Sequence, residues 1–351
     1  MYLKFFFILP ALLIFNSCTD KKDSSLTEES TDAITTQDTV AIRKYANTIT
    51  TEELKNHLEI YASDEFEGRA TGTAGQKKAA EYLKQFYISE NIASPINDTV
   101  YFQDIPASYL PKGTNASENV LAYIEGSEKP EEIVIISAHL DHVGIINGEI
   151  YNGADDDGSG TVAILEIAQA FKEAALNGYQ PKRSILFLHV TAEEIGLYGS
   201  KYYSEHPIFP LENTVADLNI DMIGRVDDKH IDQSDYVYLI GSDRLSDDLH
   251  ELSEQANKTY FNLELDYTFN DINDENRFYY RSDHYNFAKY NIPVIFYFNG
   301  THADYHKATD TVEKINFSLL QKRAQLVFVT AWQLANQTNR PALNDDVKPL
   351  D

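Results

Sequence analysis

The chain has 351 residues, with 55 acidic side chains against 29 basic ones and a formal net charge of −26. That balance excludes nucleic acid as a partner, because phosphate contacts need a basic surface. A hydrophobic content of 43% is enough for a sizeable core in one large domain or two small ones. The acidity reads first as a solvated surface, and second as an attraction for cationic groups such as peptide amino termini.

The expected organisation runs from a targeting segment over residues 1–18, through a flexible tether over 19–40 and a main folded domain over 41–340, to a C-terminal tail over 341–351. In the first segment Lys4 supplies positive charge and Phe5 to Phe15 is an apolar run too short to read as a membrane span. Cys18, the single cysteine, follows Phe15-Asn16-Ser17 and resembles a bacterial lipobox. The resemblance implies export, lipidation at Cys18 and anchoring to a bacterial membrane in the cell envelope; an ordinary cleaved secretion signal is the alternative. Residues 19–40 are rich in Ser, Thr, Asp and Lys and hold too little apolar surface to bury. Thr50-Thr51-Glu52-Glu53 has the form of a capping box, followed by Leu54, Leu58 and Tyr61 at helical spacing. Gln76 to Tyr87 reads as a second helix.

From about residue 118 short apolar runs alternate with amphipathic helices. The runs at 120–124, 133–136, 185–190, 216–220, 237–240 and 294–298 predict strands. The segments 161–171, 199–206, 245–257 and 317–336 predict helices. Apolar strands alternating with helices define an α/β fold whose sheet is covered on both faces.

Five metal-ligand residue types lie in short motifs at or after these strands. They are His139 in Ser-Ala-His-Leu-Asp-His, Asp156 in Gly-Ala-Asp-Asp-Asp-Gly-Ser-Gly, Glu194 in Thr-Ala-Glu-Glu-Ile-Gly, Asp221 in Asn-Ile-Asp-Met-Ile-Gly and His306 in Tyr-His-Lys-Ala-Thr-Asp. In open α/β sheets, ligands gather outside the carboxyl ends of the strands. Two imidazoles and three carboxylates suit a pair of zinc ions sharing one carboxylate. Asp156 is the chosen bridge, although spacing does not separate it from Asp155 and Asp157. Glu193, beside Glu194, can face an attacking water as base, and this makes hydrolysis the leading reaction. Asp141 can accept the second ring proton of His139 and so fix its tautomer. Tyr305 can donate to a developing oxyanion or simply pack as an aromatic. Arg281, in Arg-Ser-Asp-His, lines the substrate site or serves structure. His142, His189, His250 and His302 read as structural or surface groups.

The order of these motifs resembles the M28 family of zinc peptidases over about residues 50–335, including an upstream Ala-Ser-Asp-Glu-Phe-Glu-Gly-Arg at 62–69. The resemblance implies a single domain with a mixed, mainly parallel sheet of about eight strands between helices. It implies an aminopeptidase acting on peptides through two zinc ions bridged by Asp156. His139 and Asp221 would complete one ion's shell and Glu194 and His306 the other's. Glu193 would be general base and then general acid, with Tyr305 and Arg281 holding the substrate and Asp141 supporting His139. A glutaminyl cyclase working with one zinc, or a carboxypeptidase or dipeptidase on the same core, are the alternatives. Residues 266–280, where specificity is usually built, offer both aromatics and acids and so point to an apolar or a basic side chain. The sequence does not decide the oligomeric state.

Overall fold

The computed structural model describes residues 1–3, 36–97 and 99–347. The expected signal segment beyond its first three residues, Cys18 and most of the expected tether lie outside that range. Among the described residues no helix is long and apolar enough to cross a membrane.

Helix α1 (Thr36–Ala46) begins inside the last residues of the expected tether. It does so because Ile42 and Tyr45, with Ile49 just beyond, are buried in the main core. The capping box holds: the Thr50 hydroxyl accepts from Glu53 N at 3.2 Å and starts α2 (Thr51–Tyr61), which buries Leu54, Leu58 and Tyr61. Helix α3 (Ala74–Ser89) follows, capped by Thr73.

Strands β1 (Phe102–Ile105), β2 (Ser117–Ile124) and β3 (Lys129–His139) precede a small hairpin of β4 (Gly144–Ile146) and β5 (Glu149–Tyr151). Then come α4 (Gly160–Leu176), β6 (Arg183–Val190), α5 (Tyr198–Glu205), β7 (Thr214–Ile220) and β8 (Tyr236–Ile240). Helix α6 (Asp247–Tyr260), β9 (Glu264–Asp266), α7 (His284–Ala288), β10 (Val294–Phe298) and α8 (Phe317–Asn336) complete the order. The main sheet has eight strands in the order β1-β2-β6-β3-β7-β10-β8-β9. The central strands β6, β3, β7 and β10 are parallel, β1/β2, β2/β6 and β8/β10 are antiparallel, and β9 pairs parallel to β8. The α/β class and the mixed sheet agree with the sequence reading.

Alternation along each strand sorts the core into two. Val134, Ile136, Leu218, Ile220 and Ile295 face the layer containing α1 to α4, α6 and α8. Ile133, Ile135, Leu186, Leu188 and Phe296 face the layer containing α5 and α7. Both faces are therefore apolar, which is why these strands read as continuous hydrophobic runs. The four parallel strands end on the same side, and that edge carries the site. Past α8, the expected tail is fixed as far as the description goes: Ala342 N donates to Asp248 and Asn344 Oδ1 accepts from Asp247 N.

Candidate metal centre

His139 is the last residue of β3, Asp221 follows β7, and Glu193 and Glu194 follow β6 by a short turn. Asp156 lies in the irregular turn before α4, and His306 in the loop after β10. Three backbone positions here have positive φ without being glycine: Ala192 beside Glu193, Met222 beside Asp221, and His306 itself. Such conformations are uncommon for side-chain-bearing residues and tend to gather at functional sites.

The five expected ligands converge. His139 Nε2 is 3.2 Å from Asp156 Oδ1 and 3.7 Å from Asp221 Oδ1. His306 Nε2 is 3.0 Å from Asp156 Oδ2 and 3.2 Å from Glu194 Oε2. Asp156 thus presents one oxygen to each side. Its neighbours have other tasks, which separates the three aspartates that spacing left equivalent. Asp157 accepts from His139 N, Met222 N and Gly160 N, tying β3, β7 and α4 together. Asp155 accepts from Gly224 N and Ser159 Oγ and sits 3.2 Å from His302 Nε2. Asp310 accepts from the backbone of both Asp155 and Asp156, so it holds the turn in shape.

Two expectations need correction. The Asp141 carboxylate does not take the ring proton of His139. His139 Nδ1 lies 3.0 Å from the Asp141 main-chain carbonyl, while the nearer carboxylate oxygen is 3.9 Å away. The carboxylate instead accepts from Thr71 Oγ1 and, at 3.1 Å, from Glu193 N. One residue therefore braces His139 with its backbone and Glu193 with its side chain. The second correction is His142, which is neither a surface nor a remote structural group. It is buried, with Nδ1 2.7 Å from Glu194 Oε1 and 3.8 Å from Asp156 Oδ2. The signal was present as a second histidine three residues after His139, but the strand's end hides which way it turns. His189 and His250 are remote, bonded to Tyr87 and Ser242.

The side chains fit a metal. Asp156 Oδ2, Glu194 Oε1 and His142 Nδ1 are buried without a hydrogen-bond partner among the described residues, an expensive arrangement unless a cation satisfies them. Two donor groups emerge, His139–Asp156–Asp221 and His142–Asp156–Glu194, sharing Asp156. Without a cation, burial works against the charge of Asp156, yet His139, His142 and His306 hold its carboxyl well below the usual range. Glu194 is lowered in the same way by His142 and His306, against burial and the charge of Asp156. Burial and the charges of Asp221, Glu194 and Asp283 push Glu193 well above the usual carboxylate range. His306 is raised to about 10: burial opposes its charge, but Asp156 and Glu194 outweigh it.

Asp156, Glu193 and Asp221 open onto a cleft walled by Met222, Phe278, Phe296 and Phe298, with Arg281, Tyr305 and His306 around it. Arg281 is exposed and lies over the Phe278 ring at 4.9 Å. Tyr305 stacks on His306 with centroids 4.0 Å apart. Two of the acids in residues 266–280 serve the loop itself. Asp271 caps Asn273 N, and Asp274 caps Asn276 N and Phe278 N, so they fold the loop that delivers Phe278.

An α/β sheet with paired His/carboxylate groups at its carboxyl edge defines a metal-dependent hydrolase class of site. A sequence profile described as peptidase family M28 matches residues 119–331, and the chain belongs to that family. It is 27% identical over 309 residues to leupeptin-inactivating enzyme 1 of Streptomyces exfoliatus, covering 82% of this chain and 61% of that protein. The match therefore spans less than two thirds of that relative's length. Among solved structures it resembles a zinc aminopeptidase of Bacillus subtilis, with a TM-score of 0.63 at 17% identity over 86% of this chain and 99% of that one. It also resembles a glutaminyl cyclase of Porphyromonas gingivalis, with a TM-score of 0.65 at 19% identity over 80% and 97%. At these identities the structural likeness speaks for the fold alone.

Proposed function

We propose that the chain is a two-zinc aminopeptidase that removes apolar amino-terminal residues from peptides. The observation that carries this reading is that His139 and Asp221 on one side, and Glu194 and His306 on the other, meet at Asp156. His139, Asp156 and Asp221 would hold one ion, and Asp156, Glu194 and His306 the other. Mixed imidazole and carboxylate donors suit zinc. Bound zinc would supply a hydroxide nucleophile at neutral pH and polarise the scissile carbonyl.

The remaining steps belong to the protein. Glu193 lines the cleft, where a carboxylate can take a proton from water and return it to a leaving group. It accepts the proton of the attacking water and passes it to the leaving amine. Asp141 and Thr71 keep Glu193 aimed. The carboxylates facing the cleft attract the substrate's free ammonium, and Met222, Phe278, Phe296 and Phe298 receive an apolar side chain. Tyr305 and Arg281 stand at the cleft where they can donate to the substrate carbonyl. A one-zinc cyclase is disfavoured because both donor groups are complete.

Metal analysis of protein lacking residues 1–18, with a panel of aminoacyl-anilides and Glu193→Gln as control, tests this. Two zinc ions per chain are expected, with fastest cleavage of leucyl or phenylalanyl anilides. Glu193→Gln should keep both ions and lose about 100-fold or more in kcat. One zinc per chain, with cyclisation of amino-terminal glutamine and no anilide cleavage, overturns the reading.

A further inference from the structure

We infer that His142 is a fourth protein ligand of the ion held by Asp156, Glu194 and His306, so that the two metal sites are unequal; this rests on the two-zinc reading above. Zinc binds nitrogen and oxygen at about 2.0–2.2 Å, so two donors on one ion lie no more than roughly 4.4 Å apart. His142 Nδ1 meets that limit toward Glu194 Oε1 at 2.7 Å and toward Asp156 Oδ2 at 3.8 Å. His306 Nε2 meets it from the other side, at 3.0 Å from Asp156 Oδ2 and 3.2 Å from Glu194 Oε2. Glu194 thus has one oxygen toward each imidazole.

A hydrogen bond between His142 and Glu194 is the competing account. The distance allows it but the direction does not: Nδ1 and Oε1 both remain without a hydrogen-bond partner among the described residues. A close contact of this kind is what two donors aimed at a common ion would leave when the ion is absent. The ring is also held where it is. Gly153, at φ +52°, leaves the space it occupies; a Cβ there would come within 2.5 Å of His142 Cδ2. The backbone of His142 donates to Arg69 O, and the buried Arg69 guanidinium donates to the carbonyls of Leu140, Asn152 and Gly153. The ion on the His139 side would have three protein donors, and the ion held by the His142–Asp156–Glu194 group, with His306 added, would have four. The second should therefore leave last.

X-ray absorption of the wild-type two-zinc protein counts imidazoles without any substitution. Three imidazoles for two ions are expected, and two overturn the inference. Stepwise removal of zinc by a competing chelator gives the second readout. In the wild type one equivalent should leave well before the other. His142→Ala should lower the affinity for the later equivalent by more than about 100-fold, beyond the loss typical of a merely supporting contact. Unchanged affinities in a folded His142→Ala protein overturn the inference while leaving the two-zinc reading intact. A wild type that binds only one zinc overturns that reading as well.

Discussion

At the scale of single residues the site is built from side chains with divided duties, and Asp141 is the clearest case. Its main-chain carbonyl faces His139 Nδ1, while its carboxylate, raised to about 6 chiefly by burial, is shared between Thr71 and Glu193 N. Replacing the carboxylate should therefore disturb the base rather than the metal. Asp141→Asn keeps the main chain but has only one acceptor oxygen for two donors. We predict a fall in kcat of about 10- to 100-fold, the usual cost of removing a supporting contact, with zinc content unaltered. Parallel metal analysis and steady-state kinetics decide it; loss of the His139-side zinc would show that the carboxylate supports the ligand after all. Such divisions were invisible in the sequence. His-x-Asp announces a ligand and a partner, but not which atoms of the partner do which task, because that depends on how the chain turns after the strand.

At the scale of elements, β7 carries a polar line on one face: Asp217, Asn219 and then Asp221 just past its end. Ser137 of β3 donates to both Asp217 and Asn219, and Ser282 links Asn219 to Asp221. Burial pushes Asp217 up to about 8, with the charge of Asp283 adding to it and the Ser137 hydrogen bond opposing it. The unfolded carboxyl titrates near pH 4. A value raised by folding contributes stability that is present below about pH 4 and is lost as pH climbs through about 8. Asp217→Asn cannot ionise, so its melting temperature relative to wild type should rise between pH 5 and pH 9. Thermal melts across that range, with zinc in constant excess, test the point; a difference that does not vary with pH would sink it. The sequence made the buried strands legible because both sheet faces are apolar, and it made the four strand-end motifs legible for the same reason. It missed β1 and β9, which are short edge strands with polar or exposed positions, and the β4–β5 hairpin, which is mostly exposed. It also missed α1, whose apolar positions are sparse and gain meaning only against α4 and α8.

At the scale of the whole molecule, an acidic chain has gathered a cluster of buried carboxylates at one end of the sheet. Asp141, Asp156, Asp157, Asp221 and Asp283 are all buried there, with Glu193 and Glu194 beside them. Metal-free, the Asp156 and Glu194 side chains lie against histidines; burial opposes the imidazolium of His139, but Glu193, Asp156 and Asp221 raise its pKa well above the ordinary value. Zinc needs the neutral imidazole, so its uptake releases protons and should be tighter at pH 8 than at pH 6. An ion bound only by the folded state stabilises by about 2.7 kcal/mol when present at 100 times its dissociation constant. For a chain of this size that corresponds to a rise in melting temperature of about 4 °C. Removing metal with a chelator should lower the midpoint by that amount, zinc should restore it, and magnesium, which prefers an all-oxygen octahedral shell, should not. The shift should persist in Glu193→Gln, since that side chain is assigned to proton transfer and not to holding metal. A midpoint that zinc does not raise in metal-free protein would mean that the buried carboxylates are satisfied without an ion, and the two-zinc reading would fall with it.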